Sequence, residues 1–442
     1  MPGYPTSAGW VGVTDPTVSD TKRNFRLLWS GQTVSQLGSM VTTVALPVAA
    51  VSWLHGSTLD VGFIGMLQFL PALILTLPVG AWVDRRKKRP LVIAANIGQA
   101  CAIGSIPITA AWGWLSIYQL YLVAPVIGML SLISQLSSSS YIRTLVPKGS
   151  LQQANSRLQA SGSAARVVGP GIGGVLISAF GAPFALAADA ISFMISAGTL
   201  SVIRAEEPPE SLARRDTTYL SSITEGMSLV YRDRQLRSII ICAAIANLCL
   251  SAIGTVEIPY LLNEMNVGSS AVGVIVAVGS VGGIIGAATA GWLSRKIGDG
   301  WSIWLGLAIL GPFGVFLPLA WHGTGIAFFV LGLFFLECGI TVSSVIAITF
   351  QQTYCPHDML ARVGASFRVL LMGTIPFGAL LGGVAGSQFG DRNALWIFAM
   401  VNFIPGILWS LSGASRRRHL PSEPRSSMAG SHIASGEVAH GS

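Results

Sequence analysis

The chain has 442 residues, 51% of them hydrophobic and only 10% charged, and carries a net charge of +8. A soluble protein carries about 25% charged residues, so this composition excludes an ordinary soluble domain and points to a membrane protein. The five cysteines form no C-x-x-C pair and the six histidines no H-E-x-x-H, which removes a disulfide framework, a structural metal and a metal cofactor from expectation.

In chain order, residues 1–21 are polar and rich in Pro and Gly, with no charged segment leading into an apolar one, so a disordered N-terminus without a cleavable signal is expected. Apolar stretches then recur near 27–53, 61–82, 90–111, 117–138, 163–181, 183–203, 238–262, 270–293, 302–321, 325–349, 361–388 and 392–412. Each approaches the roughly 20 residues a membrane helix needs, which predicts an all-α membrane protein with twelve spanning helices. Proline inside several of them (Pro47, Pro71, Pro78, Pro107, Pro125) is tolerated in membrane bundles. The long polar connection 204–237 divides the chain into bundles over 22–203 and 238–412. Its second part, EGMSLVYRDRQLRS, spaces Met227, Val230 and Tyr231 as an amphipathic surface helix. The Ser/Gly-rich tail 413–442 reads as disordered.

The Lys and Arg residues fall almost entirely into one set of connections. Lys22, Arg23 and Arg26 precede the first stretch, Arg85 to Arg89 fill the second connection, Arg143 and Lys148 the fourth, and Arg295 and Lys296 the eighth. Of the odd-numbered connections only the eleventh has a basic residue, Arg392. This bias predicts that both termini are cytoplasmic in a plasma or inner membrane. The basic charge is then a topology signal and no nucleic-acid partner is expected.

The two halves repeat one another. At an offset of 209, Gly169, Gly173, Gly174 and Gly181 meet Gly378, Gly382, Gly383 and Gly390, and at 210 AWVDRR meets GWLSRK. Parallel six-span repeats suit a transporter whose halves rock about a central site.

These features resemble the major facilitator superfamily over roughly 22–412. GAWVDRRKKRP is similar to the family's G-x-L-a-D-r-x-G-r-k signature, with Gly80, Asp84, Arg85, Lys88 and Arg89 matching and Trp82 and Lys87 departing. The resemblance implies a charge cluster that forms in one state of a cytoplasmic gate and breaks in the other; the plainer reading is a topology-setting basic loop. FRLLWSGQTVSQLGSMVTTVALP and DAISF resemble the bacterial branch that includes macrolide and enterobactin exporters.

Residues 169–174, GPGIGG, also fit G-x-G-x-x-G, with Asp189 twenty positions on. A dinucleotide site needs a strand before that loop; here a helical pattern runs straight through, so the glycines read as helix-packing positions. Gly162, Gly169, Pro170, Gly173 and Gly174 together resemble the fifth-span signature of antiporters.

Ionisable residues inside spans are costly and therefore functional candidates: Glu337, Asp189, Glu257 and Arg166. Glu337 is expected to carry a proton or contact a cationic substrate, or else to be a structural acid bonded near Thr341 or Ser343. Gln32, Gln36, Gln135, Asn247 and Phe334 are expected to line a mostly apolar cavity. The fourth span lacks the arginine common in drug–proton antiporters, and Ser39 stands where related exporters carry an acid. No Walker A sequence is present. The expected function is secondary export of a small amphiphilic molecule by a monomer in the bilayer, with protons as coupling ion; the alternatives are a nutrient importer, a receptor or a membrane enzyme.

Overall fold

A computed structural model describes residues 18–203, 227, 228, 230, 231, 233–355 and 359–412. The terminal segments and most of the 204–237 connection lie outside them. Within that connection, Val230 is buried while Met227 and Tyr231 are exposed.

Among the described residues, twelve segments are long and apolar enough to cross a membrane. They are α1 (Val18–Val48), α2 (Thr58–Asp84), α3 (Lys88–Ala111), α4 (Ile117–Leu145), α5 (Leu151–Phe180) and α6 (Ala182–Val202) in the first half. The second half has α7 (Arg234–Pro259), α8 (Ser269–Ile297), α9 (Asp299–Trp304), α10 (Ile326–Tyr354), α11 (Leu360–Phe389) and α12, in two pieces, Asp391–Val401 and Phe403–Leu411. A π-helical turn extends α1 (Ala49–Trp53) and α7 (Tyr260–Glu264), and α9 continues as π-helical Leu305–Leu310 and 3-10 Gly311–Phe316. Helix ends have local causes. Ser57 and Asp60 form a capping box at α2, and Asp233 accepts from Gln235 N and Leu236 N at α7. α5 and α11 stop at Gly181 and Gly390, whose φ of 87° and 85° suits residues without a Cβ. α5 begins at Leu151, well before the apolar stretch at 163, because its polar first turns face away from the core.

Packing follows the repeat. α1 packs on α5 and α6, α2 on α4, and α3 on α4 and α6; in the second half α7 packs on α11 and α12, α8 on α10, and α9 on α10 and α12. The halves are joined mainly by α2 with α11 and α5 with α8, with smaller contacts from α1 and α2 to α7. Backbone conformation repeats in part: positive φ occurs in the pairs His55 and Asn266, Gly113 and Gly323, and Gly181 and Gly390, and additionally at Gly298 alone.

The two ends of the bundle differ. One end carries the basic connections; at the other, a single hydrophobic cluster draws on both halves, from Val41 to Val51, Val61, Ile64 and Ile177 to Ala252, Val256, Val272 and Leu395. The remaining clusters each belong to one half: Phe25, Tyr141 and Leu200; Val79, Val83 and Leu132; Leu236, Ile346 and Trp409. The halves are therefore welded at the end opposite the basic connections and separate at the basic end.

Candidate functional site

The weld rests on glycines. A Cβ on Gly273 of α8 would fall 2.5 Å from the Pro170 carbonyl oxygen and 2.6 Å from Gly174 Cα of α5. On the other side of the molecule, a Cβ on Gly62 of α2 would fall 2.6 Å from the Ala379 carbonyl oxygen and 2.8 Å from Gly383 Cα of α11. The two contacts are copies under the repeat. Within the halves, Gly169 and Gly173 of α5 give α1 its close approach at Met40 and Val41, as Gly378 and Gly382 of α11 do for α7 at Leu248 and Ala252. The GPGIGG stretch thus serves two neighbours at once: Gly169 and Gly173 face α1, while Pro170 and Gly174 face α8.

One hydrogen bond reinforces the weld. Thr58 Oγ1 donates to buried Asp391 Oδ1 at 2.6 Å, linking α2 to the start of α12. Nearby, Arg392 approaches Glu264 at 3.9 Å and donates to the Ala320 carbonyl at 2.9 Å. Thr58→Val deprives a buried carboxylate of a donor in this state alone, at a cost of about 1–3 kcal/mol. The expected result is opening of the welded end, read as a longer spin-label distance between positions 114 and 322 in a Cys101→Ser background; an unchanged distance counts against the bond as a latch.

At the basic end, the motif residues do work that sequence spacing did not reveal. Lys88 Nζ donates to the carbonyls of Val83, Asp84 and Arg86 at 2.8, 2.9 and 2.7 Å, capping the end of α2. Arg89 donates to the carbonyls of Leu200 and Ser201 at 3.0 and 2.6 Å, capping α6. Both cations sit at helix C-termini, where positive charge is favoured. Asp84 and Arg85 are exposed, and a Cβ on Gly80 would meet nothing within 4 Å.

Between the ends, three of the four expected ionisable residues lie within electrostatic range as a chain, without forming an ion pair among the described residues. Arg166 of α5 acts electrostatically on Glu337 of α10, and Glu337 acts on Glu257 of α7. The cluster bridges the halves, since Arg166 belongs to the first and both acids to the second. Glu337 Oε2 lies 3.6 Å from where a Cβ on Gly283 would be, so it is wedged against α8. Among the described residues neither acid accepts a protein hydrogen bond. Of the two hydroxyls expected beside Glu337, Thr341 and Ser343, Ser343 instead donates to the carbonyls of Gly339 and Ile303. Counting formal charges, two carboxylates and one guanidinium leave the cluster at −1 when all are ionised.

Asp189 stands apart. It is 1% exposed and accepts from Thr42 Oγ1 at 2.5 Å and Ser192 Oγ at 3.0 Å, tying α6 to α1 inside the first half. Gly38 makes this possible, since a Cβ there would fall 2.5 Å from Asp189 Oδ1.

The amide candidates divide in the same way. Gln32 and Gln36 of α1 each have a buried side-chain oxygen with no hydrogen-bond partner, and Gly162 makes room for Gln36, whose Oε1 lies 3.1 Å from the position of a Cβ there. Asn247 donates to the Leu371 carbonyl at 3.0 Å and so braces α7 on α11. Gln135 is exposed and donates to Ser131 within its own helix. The Phe334 ring packs edge-on against Phe335, and its carbonyl abuts Gly282. No group of three or more His, Cys, Asp or Glu residues arranged for a metal occurs among the described residues.

Gly62, Gly273, Thr58 and Asp391 were not singled out from sequence. The signal was present: V-G-x-I at 61–64 recurs as V-G-x-I at 272–275, an offset of 211.

Known proteins agree with this architecture. The chain is 25% identical over 423 residues to the multidrug efflux pump Tap of Mycolicibacterium fortuitum, covering 92% of this chain and 100% of that protein. It is 22% identical over 223 residues to macrolide efflux protein A of Streptococcus pyogenes, covering 50% of this chain and 54% of the relative. Its fold matches the crystal structure of a bacterial homologue of the human lysosomal transporter Spinster, inward-facing and unoccupied, with TM-score 0.73 at 14% identity over 90% of this chain and 98% of that one. The sequence model of the Major Facilitator Superfamily matches residues 28–377. With twelve spans in two six-helix repeats, the chain belongs to the Major Facilitator Superfamily and is a multi-pass membrane transporter.

Proposed function

We propose that this transporter is a secondary exporter of a small amphiphilic organic molecule, working by alternating access as a proton-coupled antiporter. The observation that carries the reading is the Arg166–Glu337–Glu257 cluster, set between halves that are welded at one end and parted at the other. The bias of Lys and Arg toward one set of connections supports a cytoplasmic basic end, so the conformer is open to the cytoplasm and both termini lie there. A substrate entering from that side meets a cluster whose two carboxylates and one guanidinium reach a net charge of −1 only once the proton on Glu337 has left. A cationic group can take the place of a proton on Glu337, and the proton leaves to the cytoplasm. After the halves rock, a proton from outside takes the site back and releases the substrate. The attraction between Arg166 and Glu337 depends on the ionisation of Glu337, so the proton changes how strongly the halves hold one another. The efflux pumps among the relatives and the likeness of GPGIGG to the antiporter signature support export over import.

The reading is tested in cells. Cells expressing the protein should accumulate less ethidium, a permanent cation, and an uncoupler should abolish the difference. Higher accumulation on expression would favour a nutrient importer and sink the export reading.

A further inference from the structure

The geometry points to Asp391 as a proton-operated latch: closing the welded end takes up a proton from outside, and opening it returns that proton to the same side. The device is separate from the Glu337 cluster and from the direction of transport. It takes from the proposed function only which end faces outward.

Asp391 opens α12, one residue before the apolar stretch, and is 7% exposed in the closed weld. Among the described residues its side-chain donor is Thr58 of the first half, at 2.6 Å. Gly386 of α11 closes a third side, where a Cβ would fall 2.6 Å from Thr58 Cγ2 and 2.9 Å from Asp391 Oδ1. The charges around the pair do not neutralise an ionised carboxylate. Arg392 turns its guanidinium to Tyr260 Oη and the Ala320 carbonyl, at 3.2 and 2.9 Å, and lies 3.9 Å from Glu264. Glu264, on the turn that extends α7, acts on Asp391 as a like charge. Asp60, in the first turn of α2, is held by Ser57 and Tyr121. The facing stretch of α11, 379–389, has no titratable residue, and His322, after α9, is exposed.

Burying a carboxylate with one neutral donor costs more than burying the neutral acid. The acid keeps the Thr58 bond, because its carbonyl oxygen still accepts. The closed weld therefore prefers the acid form, while in the opposite state the parted halves leave the carboxylate to external water. Closing binds the proton and opening frees it, so nothing crosses the membrane. Acid outside thus favours the closed weld, and alkali favours its opening. The pairing is also a departure from the repeat: at the α5–α8 crossing the corresponding residues are Ala182 and Ser269, with no acid.

The test follows the spin-label distance between positions 114 and 322 in nanodiscs. The background is Cys101→Ser with Glu337→Gln, which silences the deeper acid, and the label itself replaces His322. As pH falls from 8 to 5, the ratio of short to long distances should rise at least about five-fold, since each unit of difference in proton affinity between the states is worth about ten-fold. Asp391→Asn, permanently neutral yet still accepting from Thr58, should remove the response and hold the short distance at both pH values. Glu264→Gln, which lifts the like charge, should move the midpoint to lower pH, and it tests the latch even if the asparagine variant fails to insert. A flat response with Asp391 in place, an unchanged response in Asp391→Asn, or an unmoved midpoint in Glu264→Gln overturns the inference. So does an Asp391→Asn protein fixed at the long distance, which would make the ionised bond the latch. None of these readouts depends on what is carried or which end faces outward, so their failure is distinct from failure of the export reading.

Discussion

Glu337→Gln is expected to abolish proton-driven export while leaving the protein at near-normal level in the membrane. The substitution keeps the shape and hydrogen-bonding capacity of the side chain but removes its ability to gain and lose a proton. It also cancels the charge that Arg166 addresses across the halves. Substrate accumulation in cells should rise to that of cells lacking the transporter. Substrate-for-substrate exchange in proteoliposomes, which needs no net proton movement, should survive at a measurable rate. Glu257→Gln should be milder, because Glu337 is the acid that Arg166 addresses across the halves. Full retained export in Glu337→Gln would remove this residue from the mechanism, and equal loss in both variants would argue for a shared proton.

The second large effect is at Gly273. Gly273→Val would drive its side chain into the Pro170 carbonyl and the Gly174 backbone, atoms that cannot give way as a flexible side chain would. The welded state is then sterically blocked, whereas the opposite state, with the α5–α8 contact parted at this end, is not. Transport should fall at least ten-fold, with the spin-label distance between positions 114 and 322 fixed at its longer value. Gly62→Val, the repeat partner against Ala379 and Gly383, should do the same. Gly198→Ala, where a Cβ meets nothing within 4 Å, should be neutral. A functional Gly273→Val protein would contradict the glycine weld.

The fold was largely legible in the sequence because membrane physics leaves few choices. Long apolar runs must be helices, since no water is present to satisfy open backbone groups, and the glycine register of GPGIGG against GALLGG carried the repeat. What could not be read was which glycines cross between halves. Gly169 and Gly174 look alike in sequence, yet one faces α1 and the other α8, and five positions on a helix place them on different faces. The ionisable residues were found because charge in a span is conspicuous, but their convergence was not, since Arg166, Glu257 and Glu337 lie on three helices from both halves. Asp189 was equally conspicuous, and only the structure places it between Thr42 and Ser192, away from the others. Lys88 and Arg89 read as gate charges, while in this state they close helix ends, a role that depends on where α2 and α6 terminate in space.

The central claim, proton-driven export through the Glu337 cluster, is tested most directly by imposing a pH gradient on proteoliposomes and following a permanently charged dodecyltrimethylammonium probe. A quaternary cation is required because a weak base would collect in an acidic lumen without any transporter. The account predicts accumulation of the probe in acid-loaded vesicles above its external concentration, collapse of that accumulation with an uncoupler, and its absence in Glu337→Gln. A flux that merely follows the probe's own gradient, identical with and without the pH difference, would contradict it.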